Sequence, residues 1–276
     1  MVTAPSTWRL LRTQPARGSW NMAVDEAILE FAARGEVPPT LRLYAWEPPC
    51  ISLGYAQPIK DVDLDRLQEF SWEIVRRPTG GRAILHTDEL TYSVCGPNSD
   101  PRLVGGVLES YQHLSFALLE ALSLMGITAD PVSNSASQQT LHGDNPVCFE
   151  VPSNYEITVN SMKLIGSAQA RRKSGVLQHG SLPLSGDLTR ILKVLDFPDE
   201  NRRQQAARRL LVHGTTVEDV LGFRGDWWLA CQAFQIAFNK TLNLNLQYGG
   251  LSPSEGRRAM ELYREKYNNP EWTERF

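Results

Sequence analysis

The feature that most narrows the fold is a change of hydrophobic period along the chain. Up to residue 184, short alternating runs are interleaved with two helical faces, and from Leu188 onward the pattern turns helical. Alternation at two residues marks a strand with one face buried, and recurrence near 3.6 marks an amphipathic helix. The order implies an α+β fold, a central mixed β-sheet flanked by helices with a helical C-terminal portion. Trp20, Ala23, Val24, Ala27, Ile28 and Phe31 predict a helix over 20–33, with Ser19 as N-cap and Gly35 as stop. A second apolar face over Leu108–Met125, closed by Gly126, predicts the longest helix. Strands are expected at Leu41–Trp46, Cys50–Tyr55, Trp72–Val75, Ala83–Val94 and Val176–Leu184. Tyr155–Val159 and Met162–Gln169 flank Asn160-Ser161 as a hairpin, and the strands are expected to share one sheet. Ser133–Pro146 reads as a polar loop. Trp227, Cys231, Phe234 and Phe238 share a helical face, and Ser252-Pro253-Ser254-Glu255 is a capping box opening a last helix to about Lys266. The 276 residues are expected to form one domain, a core over about 8–250 with a helical segment over about 251–276.

Charge and cysteine use exclude several function classes. Lys and Arg number 28 against 31 Asp and Glu, so the net charge is −3 and the chain is no globally basic nucleic-acid binder. No apolar run reaches the roughly 18 residues of a membrane span, and the start, MVTAPSTWRLLRT, lacks the apolar stretch of a signal peptide. A soluble cytoplasmic protein is expected. Cys50, Cys95, Cys148 and Cys231 form no C-x-x-C pair and no histidine cluster accompanies them, so no metal site is expected and the thiols should be free.

Two places carry candidate chemistry. Arg76-Arg77-Pro78-Thr79-Gly80-Gly81-Arg82 combines glycines, which let backbone amides approach a ligand, with forked cationic donors. Alone it reads as readily as a tight turn with solvated arginines, and His86 beyond it as a structural histidine. It is neither a phosphate-binding P-loop nor a dinucleotide fingerprint. The second place is Cys148, at the exit of the polar loop rather than on an apolar face. A thiol becomes nucleophilic as its thiolate, which a nearby ammonium favours. Lys163, in a strand beside Leu164 and Ile165, could supply that ammonium from within a cleft. His179 and Ser181 read equally as core hydrogen-bonding residues, and no G-x-S-x-G elbow accompanies them.

Five segments together resemble the lipoate–protein ligase and octanoyltransferase superfamily, whose fold is shared with biotin–protein ligases. They are NMAVDEAIL (21–29), RRPTGGRAILHTDELTYSV (76–94), CFEVPSNYEITV (148–159), KLIGSAQARR (163–172) and LQHGSLPL (177–184). They keep their order over about residues 8–270. The cysteine before Phe149 and the Gly-Arg after Gly80 are most similar to the LipM-type octanoyltransferases. That resemblance implies an acyltransferase without a cofactor. Cys148 would take octanoyl from octanoyl–acyl carrier protein as a thioester. A lysine of a lipoyl-domain protein, such as the glycine cleavage H protein, would then receive it as an amide. Lys163 would polarise the carbonyl and favour the thiolate, Arg77 would brace the loop, and Gly80, Gly81 and the backbone around His86 would line the mouth of the acyl pocket, where donors could stabilise a developing oxyanion. Arg171, Arg172 and Lys173, expected on the turn after the lysine strand, would form a basic rim for acidic partners, or else a solvated tip. A monomer is expected, with no nucleic acid and no membrane as partner. Asn160-Ser161 stands where a glycine is common in the family. Two alternatives share the resemblance, an ATP-dependent lipoate–protein ligase and an amidotransferase acting between lipoyl domains. The ligases carry three consecutive glycines in the loop where Arg82 interrupts here. A lipoyl-domain binder without activity is the remaining reading.

Overall fold

Two sheets, not one, organise the chain. The computed structural model describes residues 4–131 and 156–276; Cys148, the whole of the polar loop 133–146 and Tyr155 lie outside those residues. The large sheet has eight strands in the order β11-β1-β2-β6-β10-β9-β8-β7. They are β1 (Ser6–Arg12), β2 (Thr40–Tyr44), β6 (Glu89–Pro97), β7 (Asp130–Pro131), β8 (Glu156–Val159), β9 (Met162–Arg171), β10 (Gly175–Pro183) and β11 (Leu244–Tyr248). β1 pairs parallel with β2 and β11, and the other neighbours are antiparallel, so the sheet is mixed as expected. The small sheet is β4-β3-β5, from β3 (Cys50–Leu53), β4 (Glu73–Arg76) and β5 (Ile84–His86).

The expectation of a single sheet is therefore corrected. The run over Ala83–Val94 breaks at Thr87-Asp88, where the chain leaves β5 in one sheet and enters β6 in the other. Arg190 pins the crossing through Thr87 Oγ1 and Asp88 Oδ2, both at 2.8 Å. Strands β1 and β11, which the hydrophobic pattern did not single out, extend the large sheet.

Helices cover both faces of the large sheet. α1 (Gly18–Ala33) packs Met22, Val24 and Ile28 on the face carrying Leu11, Tyr44, Cys95 and Leu177. α3 (Val107–Leu124) and α6 (Trp227–Thr241) bury Leu114, Leu118, Phe234 and Phe238 against Leu10, Leu41, Tyr92 and Val176 on the other. α2 (Leu64–Glu69), α4 (Glu200–His213) and a 3-10 turn at Leu188–Lys193 enclose the small sheet. α5 (Val217–Leu221) is a short connector. The capping box at Ser252 opens α7 (Pro253–Leu262), and a π-helical turn over Tyr263–Tyr267 carries it to the expected end before α8 (Pro270–Thr273). Ser19 is not the N-cap: α1 begins two residues earlier than expected, at Gly18, with Arg17 as its N-cap. Its first turn lies so close to β3 that a Cβ on Gly18 would stand 2.3 Å from Cys50 Sγ.

The hairpin at 160–161 forms as predicted, with Asn160 at φ 50° and Ser161 at φ 66°. That geometry suits Asn at the first position and Gly at the second, and a serine there is strained. Ser161→Gly is expected to raise the unfolding free energy by about 0.5–1 kcal/mol, read as a higher urea midpoint at unchanged slope.

Candidate active site

A cavity of about 210 Å³ lies between the two sheets. Its apolar floor includes Met22, Trp46 and Ile84, and its rim is the Gly80–Arg82 loop. Strands β9 and β10 supply the far wall with Lys163, His179 and Ser181.

Lys163 faces this cavity because of a bulge. Ile157 pairs with Ile165, but the next pair is Thr158 with Lys163, which leaves Leu164 as an extra residue on β9. Regular pairing would have set Lys163 opposite Val159, on the apolar face shared by Ile157 and Ile165. The extra residue turns it instead to the side of Glu156, a known use of bulges. Lys163 as a whole is 4% exposed, and its ammonium donates to Glu156 Oε1 at 2.5 Å. Glu156 was absent from the candidates read off the sequence. Its signal was a carboxylate on the non-core face of a strand otherwise made of Ile, Thr and Val.

Arg77 braces the loop as the resemblance implied. Its guanidinium donates to the carbonyls of Ser52 (2.7 Å), Gly80 (2.9 Å) and Arg82 (2.8 Å), tying the two-glycine turn to β3. Tyr55 N–H donates to Thr79 O at 2.8 Å from the same side. Gly54 completes the fit, since a Cβ there would stand 1.8 Å from Gly81 O. His86 also reaches the cavity, by its side chain. Nε2 lies 2.7 Å from Ser52 Oγ, Nδ1 lies 2.7 Å from Glu89 Oε1, and the ring stacks on Trp46 at 3.9 Å. Arg77 Nη1 donates to the same Ser52 hydroxyl at 3.1 Å, so Glu89, His86, Ser52 and Arg77 form one buried chain leading to the loop.

A second buried chain reaches the loop from α1. Asp25, fully buried, accepts from Arg42 at 2.7 Å, Tyr44 at 2.9 Å and Ser93 at 2.8 Å. His179 lies against it at 3.9 Å and meets Thr79 Oγ1 through Nε2 at 2.7 Å. Burial alone would push the Asp25 carboxyl up, but Arg42 and His179 outweigh it and hold the group below its usual value. Burial pushes His179 down, with Asp25 opposing, so the ring is neutral at pH 7. Arg171 ends β9 rather than lying in the turn after it, and donates to Ser110 Oγ, Gln169 Oε1 and Leu103 O. Arg172 and Lys173 are exposed. Cys50, Cys95 and Cys231 are buried, and burial drives the first two thiols far up and the third to about 12.

Both depressed groups act on stability in the same direction. An unfolded histidine gains a proton below about pH 6.5 while His179 stays neutral in the fold, so stability falls as pH drops through that point. Asp25 adds a further loss below about pH 3.9, as the unfolded carboxylate protonates first. Wild-type stability is expected to drop between pH 7 and 5 by up to about 1.4 kcal/mol per unit from this histidine, and His179→Gln to flatten that slope. Urea titrations across the range measure it, and an unchanged slope in the variant excludes His179 as the source.

Residues 17–238 match the family described as the lipoyl protein ligase A/B catalytic domain. The chain is 40% identical over 272 residues to the octanoyltransferase LipM of Kyrpidia tusciae, covering 98% of this chain and 99% of that one. Identity to the octanoyltransferase LipM of Moorella thermoacetica is 41% over 270 residues, covering 98% of each. In fold it is similar to a bipartite lipoate protein ligase from Thermoplasma acidophilum, with TM-score 0.79 at 24% identity over 99% of this chain and 97% of that chain. A lipoate-protein ligase A bound with ATP superposes with the same score and identity, covering 97% and 98%. Those two likenesses are of fold alone. The sequence likeness runs almost end to end in both chains, and it makes this protein a member of the lipoyl protein ligase A/B catalytic domain family, among the octanoyltransferases called LipM.

Proposed function

We propose that this acyltransferase moves octanoyl from octanoyl–acyl carrier protein to a lysine of a lipoyl-domain protein, such as the glycine cleavage H protein, through a thioester on Cys148. The observation that carries the reading is the Lys163 ammonium, fixed by Glu156 in the wall of a cavity that the Gly80–Gly81 loop closes. In the first step the Cys148 thiolate attacks the donor carbonyl, a C–S bond forms, the donor's C–S bond breaks, and the carrier thiolate leaves to take a proton. In the second the neutral acceptor amine attacks, a C–N bond forms, the C–S bond to Cys148 breaks, and the departing thiolate takes up the proton that the nitrogen sheds. Negative charge develops on the same carbonyl oxygen in both steps, where a prepositioned donor is most effective. The first exchange is near balance and the second runs downhill, so neither needs ATP. The other described thiols are poor nucleophiles, since burial keeps them protonated. The cytoplasm, which keeps a catalytic thiol reduced, is the fitting compartment.

Mass spectrometry after mixing the protein with octanoyl–acyl carrier protein, without ATP, is expected to show one octanoyl group on the peptide holding Cys148. Cys148→Ala should abolish transfer to the lipoyl domain, whereas Cys231→Ala should retain it. Lys163→Met is expected to slow acylation by about 10²–10³-fold, the usual loss for one such donor. Raising the pH should rescue part of that loss if the ammonium works chiefly through the thiolate. Full transfer by Cys148→Ala, or none by wild type until ATP is added, would return the protein to the ligases. Transfer only from an octanoylated lipoyl domain would make it an amidotransferase.

A further inference from the structure

Beyond the Gly80–Gly81 loop a second, wider groove of about 580 Å³ opens. It shares Gly80, Gly81 and Arg82 with the acyl cavity, so the two meet across the loop. Tyr55 forms one side of the groove, Arg171 and Arg172 another, and among the described residues no acidic side chain lines it. The positive charge extends below the surface. Arg76 is buried behind Tyr55, with its donors committed to the carbonyls of Gly54, Gln57 and Thr273. Arg275 stacks on Tyr55 at 4.2 Å and on Trp272 at 3.6 Å, and its Nε and Nη2 are buried without a hydrogen-bond partner. Burial and the nearby charge of Arg275 both lower Arg76 from its ordinary value. Among the described residues no carboxylate pairs with Arg76, Arg171, Arg172 or Arg275. Elsewhere the arginines of this chain find acids readily, as Arg9 does with Glu255, Arg190 with Asp88 and Arg258 with Glu30.

Cations held together without acids focus a positive potential into the cleft they share. The groove begins where the reacting thioester must sit, and guanidinium forks match phosphate oxygens in shape and charge. We propose that this groove binds the phosphate of a phosphopantetheine thioester donor, held by Arg82 and Arg172 in the field of Arg76, Arg171 and Arg275. The acyl end then passes Gly80–Gly81 into the cavity. This rests on the octanoyl-transfer reading and adds to it the recognised part of the donor.

The test compares octanoyl-pantetheine with octanoyl-4′-phosphopantetheine as donors to the full-length protein. It also titrates the unacylated pantetheine and 4′-phosphopantetheine calorimetrically. The phosphate is expected to tighten binding and lower KM by about tenfold at low salt, less at high salt. Arg172→Ala and Arg82→Ala are each expected to shrink the difference between the paired compounds. Equal binding of the two compounds, or a difference that survives both substitutions, overturns the proposal. So does tighter binding of ATP than of 4′-phosphopantetheine, which would make the groove a nucleotide site. Octanoyl coenzyme A and the octanoyl carrier protein distinguish the sources of the arm. Arg172→Ala should raise KM for both, whereas a loss confined to the carrier protein would move the contact to that protein's surface and overturn the phosphate assignment. If octanoyl transfer itself were the wrong reading, no thioester would react while phosphate-dependent binding persisted.

Discussion

The ion pair of Asp25 and Arg42 is the constraint on which the site's geometry rests. Neither side chain meets solvent, and each finds several partners: Asp25 accepts from Arg42, Tyr44 and Ser93, and Arg42 also reaches Asn21 O and Oδ1. A buried pair of this kind adds little net stability over an apolar replacement, but removing one member costs about 3–5 kcal/mol because the other is left alone. Its value lies in position. It fixes α1 over β2 and β6, and through His179 and Thr79 it fixes the glycine loop against β10. The loop is therefore located from beneath as well as from its own strand.

Arg76 and Arg77, neighbours in sequence, solve their burial in another way. Each satisfies its guanidinium with backbone carbonyls, Arg76 on the Gly54–Gln57 turn and Thr273, Arg77 on Ser52, Gly80 and Arg82. A carbonyl dipole compensates a cation less than a carboxylate does, so Arg76 keeps net charge where it lies. In exchange, two irregular turns that would otherwise leave carbonyls unpaired inside the protein are stapled together. Arg77 thus shapes the rim of the cavity, and Arg76 lends its charge to the groove beside it.

Much of this was legible in the sequence, and the losses have specific causes. α1, α3, α6 and the Asn160-Ser161 hairpin followed from period and turn chemistry because each is long or locally determined. Division into two sheets was not legible, because period alone does not say which sheet the runs at Ala83–Leu85 and Leu90–Cys95 join, and only long-range pairing parts them at Thr87-Asp88. β1 hid behind Arg9 and Leu11: Arg9 is buried on Glu255 of α7, a partner far along the chain. In the site, Arg77, Gly80, Gly81, His86 and Lys163 stand around one cavity. Glu156 and the Glu89–His86–Ser52 chain were missed because their meaning depends on a bulge and on a sheet crossing. The roles assigned to these residues came with the family resemblance, since spacing alone left the arginine loop as plausible a solvated turn.

The break between the sheets also explains how a polar wall survives beside an apolar floor. If the strands had joined one sheet, the side chains facing the cavity would have met a helix, and the core would have required them to be apolar. Because β5 diverges from β6, a gap stays open over β6, β9 and β10. The residues bordering it satisfy one another: Thr79 with His179, Ser52 with His86, Lys163 with Glu156, and Trp46 with Thr91 at 2.7 Å. Bonded in this way, they lose little on being enclosed. Each methylene moved from water onto an apolar floor of this kind is worth about 0.8 kcal/mol, so the floor favours an apolar ligand while the wall beside it keeps its polar groups fixed.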